Sequence, residues 1–236
     1  PTYVGALQAF NSYEARYLMV PLDGEGLRVD RLEEELRSGP KFLYVLPNFH
    51  NPAGTTLPTA RRNRVVELAS HYGVPILEDD PYGQLRYEGE HQPPLVEIDS
   101  EYHGERAGKA AAGGRFRGGV IYLSSLSKTL APGLRIAWVV APTDVIGRLV
   151  QIKQGADLHT STFNQMVAFE TARGGFLDHH VKVLRDFYRQ RRDAMLEALK
   201  RFMPDGVEWT RPQGGLFLWL TLPAGDLQEV GAAGEV

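Results

Sequence analysis

The stretch Val120-Ile121-Tyr122-Leu123-Ser124-Ser125-Leu126-Ser127-Lys128 decides how this chain is read. Val120–Leu123 is a short apolar, β-branched run of strand length, and it breaks abruptly into serines and one lysine. A lysine placed directly off a buried strand stands in a site rather than on a solvated face, where burial and cationic neighbours make its amine nucleophilic. The alternative reading is a surface lysine that starts a loop. Farther on, Arg135 opens another apolar run, Ile136–Val140. The Ser125 and Ser127 hydroxyls and the planar Arg135 fork form a set suited to a phosphate monoester dianion. A phosphate beside a reactive amine implies an aldehyde phosphate.

Outward from this stretch, apolar runs alternate with amphipathic ones. Strands are predicted at Tyr17–Pro21, Phe42–Leu46, Val74–Leu77, Val120–Leu123 and Ile136–Val140. Asp30 is the expected N-cap of a helix over Arg31–Arg37 that ends at Gly39-Pro40, and Pro58 opens a helix that stops at Gly73. This alternation predicts an α/β fold, a mostly parallel sheet covered by helices on both faces. After Pro142 the pattern turns helical, over Asp144–Gln154 and roughly Asn164–Phe202, before a strand near Gly215–Leu222. Residues 1–180 are therefore expected to form a large domain and residues 181–236 part of a smaller α+β one. Arg106–Gly119, rich in Gly, Ala and basic residues, reads as a surface loop. Both ends look cut from something longer.

Composition narrows the function. With 43% hydrophobic and 23% charged residues the chain is an ordinary globular sequence. A formal net charge of -3 leaves no basic footprint for nucleic acid or an anionic bilayer. No apolar run approaches the ~20 residues that span a membrane. Cysteine is absent, which removes thiolate nucleophiles, disulfides and Cys-ligated metals and fits a cytoplasmic protein. His179-His180 has no carboxylate or cysteine at ligand spacing, so no metal site is expected.

The remaining polar residues of interest follow predicted strands, where open α/β sheets bind ligands. Asp79 ends one, and a carboxylate half removed from water needs a cation or several donors beside it. A pyridinium N–H would serve. Asp80, before Pro81, suits a turn better. Asn51-Pro52 is ordinarily a turn signal, and Tyr82 alone could be a packed aromatic. His50 and His159 lie near these residues without an assigned role.

The ordered series Asn51-Pro52-Ala53-Gly54, Asp79-x-x-Tyr82, Ser125-x-Ser127-Lys128 and Arg135 resembles the signature of the fold type I pyridoxal-phosphate aminotransferases of class I/II. Within that family Lys153–Thr160 and Ser127–Arg135 are most similar to the 2-aminoadipate and kynurenine aminotransferase branch. The resemblance runs from Pro1-Thr2-Tyr3 to Arg211–Phe217. It implies a fold type I large domain, pyridoxal 5′-phosphate as cofactor, and Lys128 as the catalytic lysine that carries it as a Schiff base and moves the proton. It further implies Asp79 on the ring nitrogen, Asn51 and Tyr82 on the phenolic oxygen, Ser125, Ser127 and Arg135 on the phosphate, and Tyr3 stacked on the ring. Amino-acid and 2-oxo-acid substrates follow, together with a homodimer that shares its active sites through the Asp157–Asn164 region. The family's upstream phosphate-binding Gly/Ser-rich segment and its α-carboxylate arginine have no counterpart in these 236 residues. Three other readings stay open: the aminotransferase-like effector domain of a bacterial transcription regulator, another pyridoxal-phosphate reaction such as a β-lyase or decarboxylase, and a cofactor-free nucleotide-binding domain. The last lacks any Gly-rich phosphate motif.

Overall fold

The computed structural model describes residues 1–107 and 118–223. A four-stranded sheet organises it, with β3 (Leu43–Val45), β4 (Ile76–Asp79), β5 (Val120–Ser125) and β6 (Ala137–Val140) side by side in that order. The β3–β4 and β4–β5 pairs are parallel and β5–β6 is antiparallel, so the sheet is mostly parallel as expected. Parallel neighbours need a crossover, and helices supply it: α3 (Thr59–Tyr72) links β3 to β4, and α4 (Leu95–Ala107) lies between β4 and β5.

Side chains alternate across this sheet. Val45, Ile76 and Val120 point to the face carried by α3, α4 and α2 (Val29–Leu36), where they bury with Leu32, Leu36, Val65, Val66, Leu95 and Ile98. Fully burying each such residue is worth about 1.5–3 kcal/mol, so this layer is the main core. The other face carries Phe42 and Tyr44, which meet Phe10 of α1 (Val4–Asn11) edge-on at 5.2 and 5.6 Å between ring centres.

Local signals account for most boundaries. Gly73 ends α3 in the left-handed region at φ 66°, which a residue without Cβ adopts at little steric cost. The periodic stretch expected over Asn164–Phe202 is divided into α6 (Thr162–Ala172) and α7 (Phe176–Phe202). Gly174 and Gly175, at φ 85° and 84°, break it. α5 (Thr143–Asp157) precedes them, and Ser161 caps α6 by accepting from Asn164 N. α7 runs unbroken through residues 180 and 181.

Two expectations are corrected. Tyr17–Pro21 is not a strand. Tyr17, Leu18 and Met19 are exposed, no described strand pairs with the segment, and Pro21 has no N–H for a ladder. The short hairpin is instead β1 (Leu22–Asp23) with β2 (Gly26–Leu27). Asp30 does not cap α2. Arg28 occupies the cap position, and Asp30 lies in the first turn, paired to the Arg28 guanidinium at 2.5 Å. The acidic group still favours the helix N-terminus there. Of the expected loop Arg106–Gly119, residues 108–117 lie outside the described ones. The expected strand near Gly215–Leu222 is β8 (Leu220–Thr221), antiparallel to β7 (Glu208–Trp209).

Candidate active site

Parallel strands end at one edge. β3, β4 and β5 deliver Asn48–Asn51, Asp79–Tyr82 and Ser124–Lys128 to the same side of the sheet, and antiparallel β6 begins there, so that Arg135 joins them. Register sets the faces. Tyr44 pairs with Leu77, and Asp79 with Leu123, so Tyr44, Asp79 and Ser125 share the face opposite the main core.

The acidic run Glu78-Asp79-Asp80 is separated by this alternation. Glu78, fully buried on the helix face, accepts from Leu95 N and Val96 N at 2.8 and 2.9 Å, which satisfies the first turn of α4. Burial pushes its carboxyl up to about 7. Asp80 accepts from Asn48 Nδ2 and Gly83 N, each at 2.9 Å, and from the Tyr122 hydroxyl at 3.3 Å. It is the turn residue expected. Asp79, half-buried on the open face, accepts from the Tyr44 hydroxyl on Oδ2 at 2.6 Å. Burial raises its carboxyl above the usual range although the Tyr44 bond opposes this.

Three aromatics gather round Asp79. Tyr44 is pushed up by burial first, with the Asp79 charge, Tyr3 and Tyr82 adding to it, so its phenol stays protonated. Tyr82 is buried and raised to about 12 by desolvation, with the neighbouring Asn51 side chain opposing that rise. Its ring stands edge-on to Phe217 at 5.6 Å. Asn51 precedes Pro52 through a cis peptide. Tyr3, at the start of α1, lies partly exposed with its ring against Gly5, where any Cβ would collide with it.

The turn from β5 to β6 carries the other expected residues. Leu126 pins it: its N donates to Ile136 O at 3.1 Å, and its carbonyl accepts from Leu130 N and Ala131 N at 2.9 and 3.1 Å. Inside that turn Ser127 N donates to Ser125 Oγ at 3.3 Å, and Lys128 is half-buried. Arg135 sits at φ 55°, a strained conformation for a residue with Cβ, and its Nη1 donates to Pro132 O at 3.1 Å. The rest of its guanidinium is exposed. Asn164 Nδ2 ties α6 to this turn through Leu134 O at 3.2 Å.

The eight expected residues thus fall into two adjoining groups. Tyr3, Asn51, Asp79 and Tyr82 cluster on the β3–β4 side, while Ser125, Ser127, Lys128 and Arg135 occupy the β5–β6 turn. The donor set fits a pyridoxal phosphate. No hydrogen bond among the described residues reaches Asp79 Oδ1, so a half-buried carboxylate oxygen faces the site with capacity to accept from a ring N–H. Serine hydroxyls, an amine and a largely exposed guanidinium stand at the next strand end. His50 has a different part: it is buried, pushed down to about 4 by desolvation, and its Nδ1 accepts from Ala53 N at 3.4 Å. His159 is exposed. Sequence reading gave no role to Tyr44, Asn48 or Arg62. Tyr44 could have been noticed because its strand parity matches that of Asp79.

Outside this edge, a cleft of about 540 Å³ lies between Gly83–His91 and α7, with Arg86, Lys182, Arg185 and Arg189 in its lining and none of the eight expected site residues. Among the described residues no helix is long and apolar enough to cross a membrane, and no cluster of His, Asp and Glu is arranged to hold a metal.

The sequence matches the family described as Aminotransferase class I and II over residues 1–231. It is 48% identical to aromatic-amino-acid aminotransferase 1 of Thermococcus litoralis, over 95% of this chain and 52% of that protein. It is 43% identical to 2-aminoadipate transaminase of Thermus thermophilus, over 95% and 53%. The crystal structure of a Pyrococcus horikoshii kynurenine aminotransferase in complex with PMP, kynurenine as substrate and KYA as product superposes with a TM-score of 0.83 at 46% identity, over 95% of this chain and 53% of that one. The chain spans about half the length of the curated relatives it matches. With the family match running over residues 1–231, this chain belongs to the class I and II aminotransferases.

Proposed function

We propose that this protein is a pyridoxal-phosphate-dependent aminotransferase that moves an amino group from an amino acid of the 2-aminoadipate, aromatic or branched-chain type to a 2-oxo acid such as 2-oxoglutarate. The observation that carries this is the shared sheet edge of two arrays: Asp79 with Tyr44, Tyr82 and Asn51, and Ser125, Ser127 and Lys128 one strand over. The relatives' printed activities support the same reading.

When bound, the cofactor supplies an aldehyde carbon for imine chemistry and a protonated ring that accepts an electron pair. Asp79 holds the proton at the ring nitrogen. Tyr82 and Asn51 bind the phenolic oxygen, Tyr3 covers the ring face, and Ser125, Ser127 and Arg135 hold the phosphate. Lys128 Nζ anchors the group and then takes the proton from the substrate α-carbon and returns it, as general base and acid. Within this reading residues 1–180 are the cofactor-binding domain, 181–236 part of a smaller one, and the protein works in the cytoplasm as a homodimer. Exposed Leu158, Phe163 and Met166 beside the Asp157–Asn164 region support that pairing, and the absence of cysteine suits a reducing compartment.

The test is spectroscopic. Whole protein mixed with pyridoxal phosphate is expected to gain a near-visible absorbance band that Lys128→Ala removes. Aminoadipate, kynurenine, aromatic and branched-chain donors are then offered in turn, with 2-oxoglutarate as acceptor, and at least one is expected to bleach it. A band unchanged by Lys128→Ala overturns the cofactor reading. A band that no amino donor bleaches overturns the aminotransferase and favours a regulator's effector domain.

A further inference from the structure

Asp79 is the residue on which the proposed chemistry turns, and it is placed where burial disfavours a carboxylate. It is half-buried, its neighbour Asp80 is also acidic, and desolvation favours its neutral acid. A neutral Asp79 could not hold a ring-nitrogen proton by charge. Something must oppose burial, and the described residues offer one group. The Tyr44 hydroxyl donates to Asp79 Oδ2 at 2.6 Å.

The fold makes this contact repeatable. Tyr44 and Asp79 sit on adjacent parallel strands, with Leu77, two residues before Asp79, as the Tyr44 register partner. Tyr44 is braced from behind by the Phe10 ring at 5.6 Å. Burial and the Asp79 charge together keep its phenol protonated, so it can only donate in this pair. One Asp79 oxygen is thereby occupied, and no hydrogen bond among the described residues reaches the other. The remaining acids of the run are engaged elsewhere, Glu78 on α4 and Asp80 on Asn48 and Gly83.

We propose that Tyr44 is a positioning residue that donates to Asp79 Oδ2, keeps Asp79 ionised, and aims Asp79 Oδ1 at the ring nitrogen of the bound cofactor. Tyr44 touches neither substrate nor cofactor in this role. The inference rests on the reading of Asp79 as the partner of that nitrogen.

Tyr44→Phe keeps the ring and its packing while removing the one donor. In whole protein stripped of cofactor and carrying ¹³C-labelled aspartate, the Asp79 carboxyl is expected to titrate about one pH unit higher in the variant. In the loaded protein the absorbance of the bound group is expected to change its pH dependence. The turnover number should fall about tenfold with KM little changed, because the defect lies in holding a proton and not in binding. A thermal melt close to the parent's shows that the fold is intact. An Asp79 titration that does not move overturns the proposal. So does one that moves while the loaded spectrum and its pH dependence stay as in the parent, because Tyr44 then acts on Asp79 but not on the cofactor. The Lys128→Ala spectrum, taken alongside, reports separately whether the cofactor reading itself stands.

Discussion

Asn48 Nδ2 donates to Asp80 Oδ1 at 2.9 Å, joining the chain just after β3 to the chain just after β4. Arg62 lies behind the pair. It is fully buried, and donates to Asn48 Oδ1 at 2.7 Å and to the carbonyls of Leu57, Pro93 and Pro47 at 2.7, 3.0 and 3.1 Å. A helix residue thus holds two strand ends in a fixed relation, on the side of the sheet away from Asp79.

Arg62→Met should therefore be costly although Arg62 touches no candidate ligand. It takes the guanidinium donor from Asn48 Oδ1 and the carbonyls of Leu57 and Pro93, while Pro47 O keeps Leu57 N, and it removes the buried cation near Asp80 and Glu78. The loss is expected to be about 3–5 kcal/mol in urea unfolding. A loss within 1 kcal/mol would mean that water replaces the guanidinium.

Glu78 sets a pH dependence of stability. Its folded carboxyl titrates near 7, above its ordinary value of 4.5. A raised carboxyl contributes stability that is full below the unfolded value and is lost as pH rises through the folded one. Between pH 4.5 and 7 the protein should lose on the order of 2–3 kcal/mol through this group. Glu78→Gln should flatten that slope in a series of unfolding curves. Some slope will remain, because burial raises Asp79 and Asp99 in the same sense. His50 acts in reverse: pushed from 6.5 down to about 4, it stabilises above 6.5, and that contribution is lost as pH falls through 4.

Gly215 is a site where no side chain fits. It has φ 72°, and an added Cβ would strike the Phe49 side chain, which is fully buried beneath Arg86. Gly215→Ala is expected to lower stability by about 2–4 kcal/mol. Gly104, within α4 and with open space around it, is the control. Gly104→Ala should be neutral or stabilising by up to about 1 kcal/mol. Equal effects at the two positions would contradict the packing described for Gly215.

Tyr82→Phe removes a hydroxyl while keeping the edge-on contact with Phe217. With the hydroxyl beside Asn51 gone, turnover is expected to drop about tenfold, the cost of one hydrogen bond in the transition state. Lys128→Ala should lower turnover about 10²–10⁴-fold through lost acid–base catalysis. Comparable small effects from both would argue against the roles given to them.

Much of this was legible in the residues because it depends on short-range patterns. Four apolar runs became β3 to β6, and Gly73 ended α3 where expected. The parallel register then carried Asp79 and the Ser125–Lys128 turn to one edge. Tyr17–Pro21 misled because an apolar run makes a strand only when a neighbour pairs with it, and here none of the described strands does. The split of the long helical stretch at Gly174-Gly175 was in the sequence but outweighed by the periodicity on either side.

By itself the sequence determined the strand-end positions of the chemistry-bearing residues and the face each occupies, since strand parity and glycine conformation are local properties. Only the tertiary structure decided which of those groups meet. Tyr44 reaches Asp79, Asn48 reaches Asp80, and Glu78 reaches the start of α4 across long separations in the chain. Such contacts depend on how neighbouring strands align and how far each side chain extends. Adjacent acids that look alike in sequence therefore became a helix anchor, a site carboxylate and a turn residue.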